Sequence, residues 1–361
     1  MIEIKDITVH AKSFALRDVS LSVQTGSCHI VIGPTGCGKT TLLEAVLGLR
    51  DVQKGEIIVD GRDVTNLPVH KRGFSYVPQD LAIFPHLTVE DNILYGIRHG
   101  KRSRFAELKF AHELAESLDI THLLKRDTRD LSGGERQRVA LTRALASGNK
   151  YLLLDEPLSA LHEGMKKELW FLIKELQKKY DFTILMVSHD MEETFFLSDY
   201  VSVMIDGVIH LTDRKETVYR DPKNLEVARF FGVKNIIRAE IRDIRDEGCR
   251  LFCDELNTEI LLPSGRAEKN YQAGMRLTIG IRAEDVIILR PDLPMKKDNL
   301  LQGTVIEIYP MGSNSTVIFK PHNSDRVIEI VMPNFALAKL NLKSSIPVTV
   351  SLRGERLFVL R

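Results

Sequence analysis

The stretch Gly33-Pro34-Thr35-Gly36-Cys37-Gly38-Lys39-Thr40 has residue types and spacing that specify chemistry most directly. Its glycines let the main chain curl closely around an anion with the N–H groups turned inward. The spacing fits G-x-x-x-x-G-K-[ST], a loop that cradles nucleotide phosphates. Cys28-His29-Ile30-Val31-Ile32 before it reads as a strand, and Thr41 to Leu49 after it as a helix. The N-terminus of that helix adds favourable partial charge. In this reading residues 33 to 40, with Thr41, hold the nucleotide. Lys39 binds the β- and γ-phosphates and the Thr40 hydroxyl holds Mg²⁺. Kinases, GTPases and motors share such a loop, so the loop alone does not choose among them.

A second stretch narrows the choice. Tyr151-Leu152-Leu153-Leu154-Asp155-Glu156-Pro157 is an apolar strand ending in two carboxylates. Asp155 is placed to hold Mg²⁺, directly or through water. Glu156 points elsewhere from the same strand end and is the candidate to orient and deprotonate an attacking water. The competing reading is an exposed acidic pair with no role. Between the two stretches, Leu131-Ser132-Gly133-Gly134-Glu135-Arg136-Gln137 enters a helix running from Glu135 to Ala146, a second anion-binding N-terminus.

This last stretch resembles the LSGGQ signature of ABC ATPases, with Glu135 where the family has Gln. The resemblance implies that Ser132, Gly133, Gly134 and Glu135 contact ATP held by a second copy, two nucleotides being sandwiched between two chains. Gln79, in Tyr76-Val77-Pro78-Gln79-Asp80, matches the family's Q-loop glutamine, which contacts Mg²⁺ and the water and adjoins the surface that receives the membrane subunit. Ile83-Phe84-Pro85-His86-Leu87-Thr88-Val89 resembles the importer stretch that makes that contact. His189, in Met186-Val187-Ser188-His189-Asp190, matches the switch histidine that reaches the γ-phosphate. Two positions depart from the pattern. His10 falls where an aromatic residue stacks on adenine, with Phe14 a nearby substitute better suited to packing the first sheet. His162, in Ser159-Ala160-Leu161-His162, stands where the family has Asp.

The elements that must position these groups follow from patterning. Residues 1 to 233 alternate β-rich runs with amphipathic helices and read as an α/β P-loop ATPase domain, with a helical subdomain over about 85 to 147. Asp60-Gly61 and Asp206-Gly207 mark two hairpin turns. Met165, Leu169, Leu172, Ile173 and Leu176 form a core stripe on a helix over 163 to 180. Residues 234 to 361 read as an all-β domain of two loose OB-like, TOBE-type barrel repeats, about 235 to 290 and 298 to 361, packed together or intertwined. Asn235-Ile236-Ile237 parallels Asn299-Leu300-Leu301, and Ile279 to Val286 parallels Val350 to Leu357.

The chain's 361 residues suit two or three domains. With 50 basic and 49 acidic residues it carries no field that would draw it to nucleic acid. No apolar run approaches the roughly 20 residues of a membrane span, and Met1-Ile2-Glu3-Ile4-Lys5 lacks a signal-peptide layout. The expectation is a cytoplasmic chain, peripheral on the inner face of the membrane through other subunits. Cys249 and Cys253, four apart on a strand and so roughly 13 Å apart, read with Cys28 and Cys37 as reduced structural thiols.

Beyond the first 233 residues, Phe230-Phe231-Gly232-Val233-Lys234-Asn235 and Ile281-Arg282-Ala283-Glu284-Asp285 resemble the exit and the regulatory β-domain of one importer group. That resemblance implies an ATP- and Mg²⁺-dependent ATPase. Its partners would be a second copy, integral-membrane permease subunits and, indirectly, a substrate-binding protein. Pro68-Val69-His70-Lys71-Arg72-Gly73 and Ser351-Leu352-Arg353 look closest to the molybdate/tungstate ATPases. A tetrahedral oxyanion is the expected cargo, with ferric iron, polyamine or sugar as alternatives. Two other classes stay open: a non-transport ABC ATPase, and a ligand-sensing module with a vestigial ATPase.

Overall fold

The computed structural model describes residues 1–11, 14–97, 104–267, 270–290, 298–322 and 324–361. Two compact units emerge, Met1–Lys215 and Glu216–Arg361.

The first unit opens with β1 (Ile2–Ala11) and β2 (Phe14–Val23), an antiparallel pair with one apolar face. The chain then enters β3 (Cys28–Ile32), every residue of which is buried, as a central parallel strand requires. Helix α1 (Lys39–Leu47) follows and ends at Gly48, which is left-handed with φ 85°. Strands β4 (Lys54–Val59) and β5 (Arg62–Asp63) join across Asp60 and Gly61, both at positive φ, and complete a four-stranded sheet in the order β2-β1-β4-β5. Next come β6 (Phe74–Val77), α2 (Val89–Tyr95), α3 (Arg104–Ser117), α4 (Gly133–Ala146), β7 (Tyr151–Asp155), α5 (Glu163–Tyr180), β8 (Thr183–Ser188), α6 (Met191–Leu197), β9 (Tyr200–Ile205) and β10 (Val208–Arg214). Strands β10-β9-β3-β8-β7-β6 form the main sheet, parallel except for the β9–β10 hairpin. Helices α2, α3 and α4 fill the expected helical stretch, and their apolar faces share one core with α5 and with Leu152, Leu154 and Ile184 of the sheet.

The second unit begins earlier than the sequence suggests, at 216 rather than 234. Helices α7 (Lys215–Arg220) and α8 (Leu225–Phe230) account for the difference. The Arg282 guanidinium donates twice to the Tyr219 carbonyl (3.0 and 2.6 Å) and lies 3.6 Å over its ring. Ala228 and Val233 pack with Phe358 and Leu360. Residues that read as the exit of the first domain are thus bonded into the second.

That unit continues as β11 (Asn235–Arg245), β12 (Gly248–Cys253), β13 (Thr258–Pro263), β14 (Arg276–Ile281), β15 (Val286–Ile288), β16 (Leu300–Met311), β17 (Asn314–Pro321), β18 (Ile328–Pro333), helix α9 (Asn334–Lys339), β19 (Pro347–Leu352) and β20 (Phe358–Leu360). They form two antiparallel sheets, β13-β12-β11-β14-β20 and β15-β19-β16-β17-β18. The repeats are intertwined, because each sheet takes an edge strand from the other repeat: β20 pairs with β14, and β15 with β19. A single core, with Ile237, Ile279, Phe319 and Val350 among its members, spans both sheets. The paired asparagines staple the exchange. Asn235 exchanges two bonds of 2.8 Å with the backbone of Glu329 on β18. Asn299 does the same for Leu261 on β13 (2.6 and 3.0 Å). All four cysteines are free and buried.

Candidate nucleotide site

Strands β3, β7 and β8 end side by side, with Ile32 opposite Ser188 and Asp155 opposite Val187. At the carboxyl ends of parallel strands the loops converge on a shared crevice, where ligands bind in open α/β sheets. The loop after β3 is shaped by close approach. A Cβ on Gly33 would fall 2.0 Å from the Met204 carbonyl oxygen. One on Gly38, at φ 103°, would fall 2.6 Å from the Phe14 ring. Phe14 therefore packs beneath this loop, as its position in the first sheet suggests.

Lys39 is 4% exposed, and its ammonium donates to the carbonyls of Gly33 (3.0 Å) and Pro34 (3.1 Å). It also lies 3.6 Å from Glu156 Oε1. The Thr40 hydroxyl donates to Asp155 Oδ1 at 3.0 Å, and the Tyr76 hydroxyl to Oδ2 at 3.3 Å. Burial raises the Asp155 carboxyl above its usual range, opposed by those two hydroxyls. Glu156, left-handed at φ 42°, places Oε2 2.9 Å from His189 Nδ1. Lys39, Thr40, Asp155, Glu156 and His189, read from separate stretches, thus form one cluster. Gln79 is exposed, two residues beyond the end of β6, which pairs with β7.

Ser132, Gly133, Gly134 and Glu135 lie apart from that cluster, at the start of α4. Here the Glu in place of Gln has a visible structural role. Ser132 Oγ accepts from the Glu135 N–H (3.3 Å), while the Glu135 carboxylate accepts from the Ser132 N–H (2.7 Å), a closed capping box. Those bonds hold the Glu135 carboxyl below its usual range. Met165, read as core, is 36% exposed and brings its sulfur within 3.1 Å of where a Gly134 Cβ would stand. His162 occupies the N-cap of α5 without a side-chain cap bond, which an Asp could supply. His10 is exposed on β1, its N–H donating to Gln53 Oε1 (2.8 Å).

Sequence reasoning missed the supporting residues. Arg72, 6% exposed, donates to the carbonyls of Ala45 and Val46 at the end of α1, both at 2.9 Å, and so fixes the helix that carries Lys39. Behind His189, Lys166 of α5 donates to Asp190 Oδ2 (3.0 Å), and the Asp190 N–H donates to Ser188 Oγ (3.0 Å). The Ser188 hydroxyl in turn donates to the buried Glu193 carboxyl. The pattern H-D-x-x-E was present in the sequence, but nothing in it distinguishes a buried Glu from an exposed helix residue.

Burial pushes Glu193 from 4.5 up to about 7, opposed by the Ser188 hydroxyl. The native state therefore binds this proton more tightly than the unfolded chain. Its stabilising effect is complete below pH 4.5 and is lost as pH rises through about 7, at a cost on the order of 3 kcal/mol. Buried His29, lowered to about 4, works in the opposite direction, adding stability as pH rises from about 4 to 6.5. Urea unfolding of Glu193→Gln against the parent chain isolates the first effect, since His29 is common to both. The variant is expected to gain on the parent between pH 5 and about 7 and to level off above that. A constant difference over that range would mean that Glu193 does not titrate there.

The ABC transporter family profile matches residues 16–159. The Molybdate/tungstate import ATP-binding protein WtpC of Pyrococcus horikoshii is 38% identical over 313 residues, covering 87% of each chain. The chain belongs to the ATP-binding subunits of ABC transporters. Its relative from Thermococcus kodakarensis, of the same name, is 37% identical over 84% of this chain and 88% of its own. A Spermidine/putrescine import ATP-binding protein PotA of Legionella pneumophila is 34% identical over 87% of this chain and 85% of its own. Among solved structures, a nucleotide-free ATP-binding cassette from an ABC transporter aligns with TM-score 0.56 and 25% identity, over 64% of this chain and 98% of that one. A dimeric bacterial ABC transporter cassette aligns with TM-score 0.53 and 26% identity, over 59% and 98%. Among the described residues no helix is long and apolar enough to cross a membrane.

Proposed function

We propose that this ABC subunit binds ATP with Mg²⁺, closes as a dimer around two nucleotides and hydrolyses them to drive import of a molybdate- or tungstate-like oxyanion. The observation that carries the catalytic part is the cluster of Lys39, Thr40–Asp155 and Glu156–His189 at adjoining strand ends. Two hard oxygen donors 3.0 Å apart suit Mg²⁺, which takes few protein ligands and completes its shell with phosphate and water. Among the described residues no group of three His, Cys, Asp or Glu competes as a metal cage. When bound, the ion would neutralise charge on the phosphates.

The side chains divide the work accordingly. Lys39 and the backbone N–H groups of the loop, residues 33 to 41 apart from Pro34, hold the phosphates, and Glu156 takes a proton from the attacking water. His189, hydrogen-bonded to Glu156, reaches the terminal phosphate, and Gln79 adjoins both the ion and the water. Ser132, Gly133, Gly134 and Glu135 of the second copy face the same nucleotide. The N–H groups of Gly133 and Gly134 open α4 at the positive end of its dipole, those of Ser132 and Glu135 being engaged in the capping box. His10 lies beside the base. The partners are a second copy, integral-membrane permease subunits at the inner face of the membrane and, through them, a substrate-binding protein.

Identity to the molybdate/tungstate import proteins supports the oxyanion, and identity to the spermidine/putrescine import protein gives the second reading. Uptake by cells lacking the chain separates them. Tungstate accumulation is expected to collapse while spermidine uptake stays unchanged. The reverse result would transfer the chain to the polyamine reading, and unchanged uptake of both would remove both assignments.

A further inference from the structure

Between Gln79 and Phe84 the backbone does something that its residues do not favour. Leu81 (φ 64°) and Ala82 (φ 43°) stand consecutively in the left-handed region, which side chains with a Cβ rarely adopt. The two ends of this segment are well anchored. On one side Val77 lies in β6, and Leu81 N–H closes a turn on the Pro78 carbonyl (2.9 Å). On the other, buried Asn92 both donates to the Phe84 carbonyl (3.1 Å) and accepts from its N–H (2.9 Å). The middle is held from a different element. Arg143 of α4 donates one guanidinium nitrogen to the Ala82 carbonyl (2.5 Å) and another to the Leu81 carbonyl (2.7 Å). Its plane lies 5.3 Å over the Phe84 ring. The planar fork of an arginine suits two adjacent carbonyls, and a lysine ammonium has no such fork.

We propose that Arg143 is a positioning residue that ties the signature helix to the Gln79 loop, so that contact of α4 with the partner's ATP fixes where Gln79 stands. This rests on the roles given above to Gln79 and to Ser132–Glu135. Helix α4 carries Ser132 at its N-cap and Arg143 ten residues beyond Gly133, about 15 Å along one rigid rod. The strained pair is the part of the loop with two carbonyls turned toward that rod. A displacement of the helix therefore pulls on the backbone two and three residues after Gln79.

The test is a double-mutant cycle in the full chain, measuring steady-state ATPase for the parent, Gln79→Ala, Arg143→Ala and the pair. Arg143→Ala is expected to lower kcat by about tenfold to a hundredfold, the scale of lost charged hydrogen bonds, with the KM for ATP little changed. In the Gln79→Ala background the same change should have almost no further effect. Equal losses in both backgrounds would overturn the proposal, as would no loss from Arg143→Ala or a loss confined to KM. Parent-like activity in Gln79→Ala would instead refute the role of Gln79 itself. Arg143→Lys covers the case in which the alanine variant does not fold. Hydrogen exchange should accelerate at the amides of Leu81 to Ile83 while α1 stays protected. Unchanged exchange in that segment would show that the guanidinium does not hold it.

Discussion

Glu156→Gln is expected to leave ATP bound, nearly unhydrolysed, and to hold two copies of the chain together. The parent carboxylate is 15% exposed and held from two sides, Oε2 meeting His189 at 2.9 Å and Oε1 standing 3.6 Å from Lys39. The Glu156 backbone N–H donates to the Val187 carbonyl (3.1 Å) and anchors the main chain beneath it. Gln keeps the volume and can still hydrogen-bond to His189, but it cannot accept a proton from water. Removing a general base typically costs about 10²- to 10⁴-fold, so phosphate release should fall into that range while ATP affinity holds within a few-fold. In the proposed mechanism closure depends on nucleotide bound between two chains, and hydrolysis is what ends it. Size-exclusion chromatography should therefore show a dimer for the variant with ATP and a monomer with ADP. Parent-rate turnover would remove Glu156 from the role of base. A variant that stays monomeric at saturating ATP would remove the sandwich.

The cluster of Lys39, Thr40, Asp155, Glu156 and His189 was legible because its members sit on motifs whose residue types and context agree. The glycine loop follows an all-apolar strand and opens a helix, and the acidic pair ends another such strand. His189 follows a third. Strand ends in a parallel sheet converge, so motifs far apart in sequence predict one crevice. The β-repeats were legible in outline, from Asn235 against Asn299 and from the matching turns at 282–285 and 353–356. Their exchange of edge strands was left open, because period-two patterning fixes which face a residue takes and says nothing of which sheet it joins. The compact units divide at 216, not at the expected 234, for a related reason. Residues 216–233 look helical, as elements of an α/β domain do, and only the Arg282–Tyr219 bonds and the Phe358 packing join them to the β unit. Backbone conformation was the least visible feature. Nothing in Gln79-Asp80-Leu81-Ala82 announces two left-handed residues, since neither Leu nor Ala favours them. The buried charges of Arg72 and Glu193 were equally silent, since nothing in the local pattern separates them from charges on a solvated face.

Lys39→Ala is expected to abolish turnover with little harm to the fold. The ammonium is almost wholly buried, yet its neighbours are the two loop carbonyls of Gly33 and Pro34 and the Glu156 carboxylate, and no apolar side chain depends on its charge. Ala is the best helix former at the first position of α1, so the helix should persist. Losing the two carbonyl bonds should cost about 1–3 kcal/mol, within the stability margin of a domain this size. For the nucleotide the loss is different in kind. In the proposed role, the charge that faces the terminal phosphates disappears, and with it a buried ammonium whose electrostatic contacts count for more than those of a surface group. Titration with a fluorescent ATP analogue should show binding weakened severely, or binding retained with phosphate release below detection. Lys39→Arg separates charge from shape. Its planar, bulkier head keeps the charge but does not fit between Gly33 O, Pro34 O and Glu156, so it should fail as well. If Lys39→Ala hydrolysed ATP at the parent rate, the glycine loop would not be the catalytic phosphate site, and the cluster with Asp155 and Glu156 would need another explanation. If instead its melting temperature collapsed, the carbonyl bonds would be the residue's main role. Loss of turnover in a chain that still melts cooperatively near the parent temperature is the outcome that follows from the geometry.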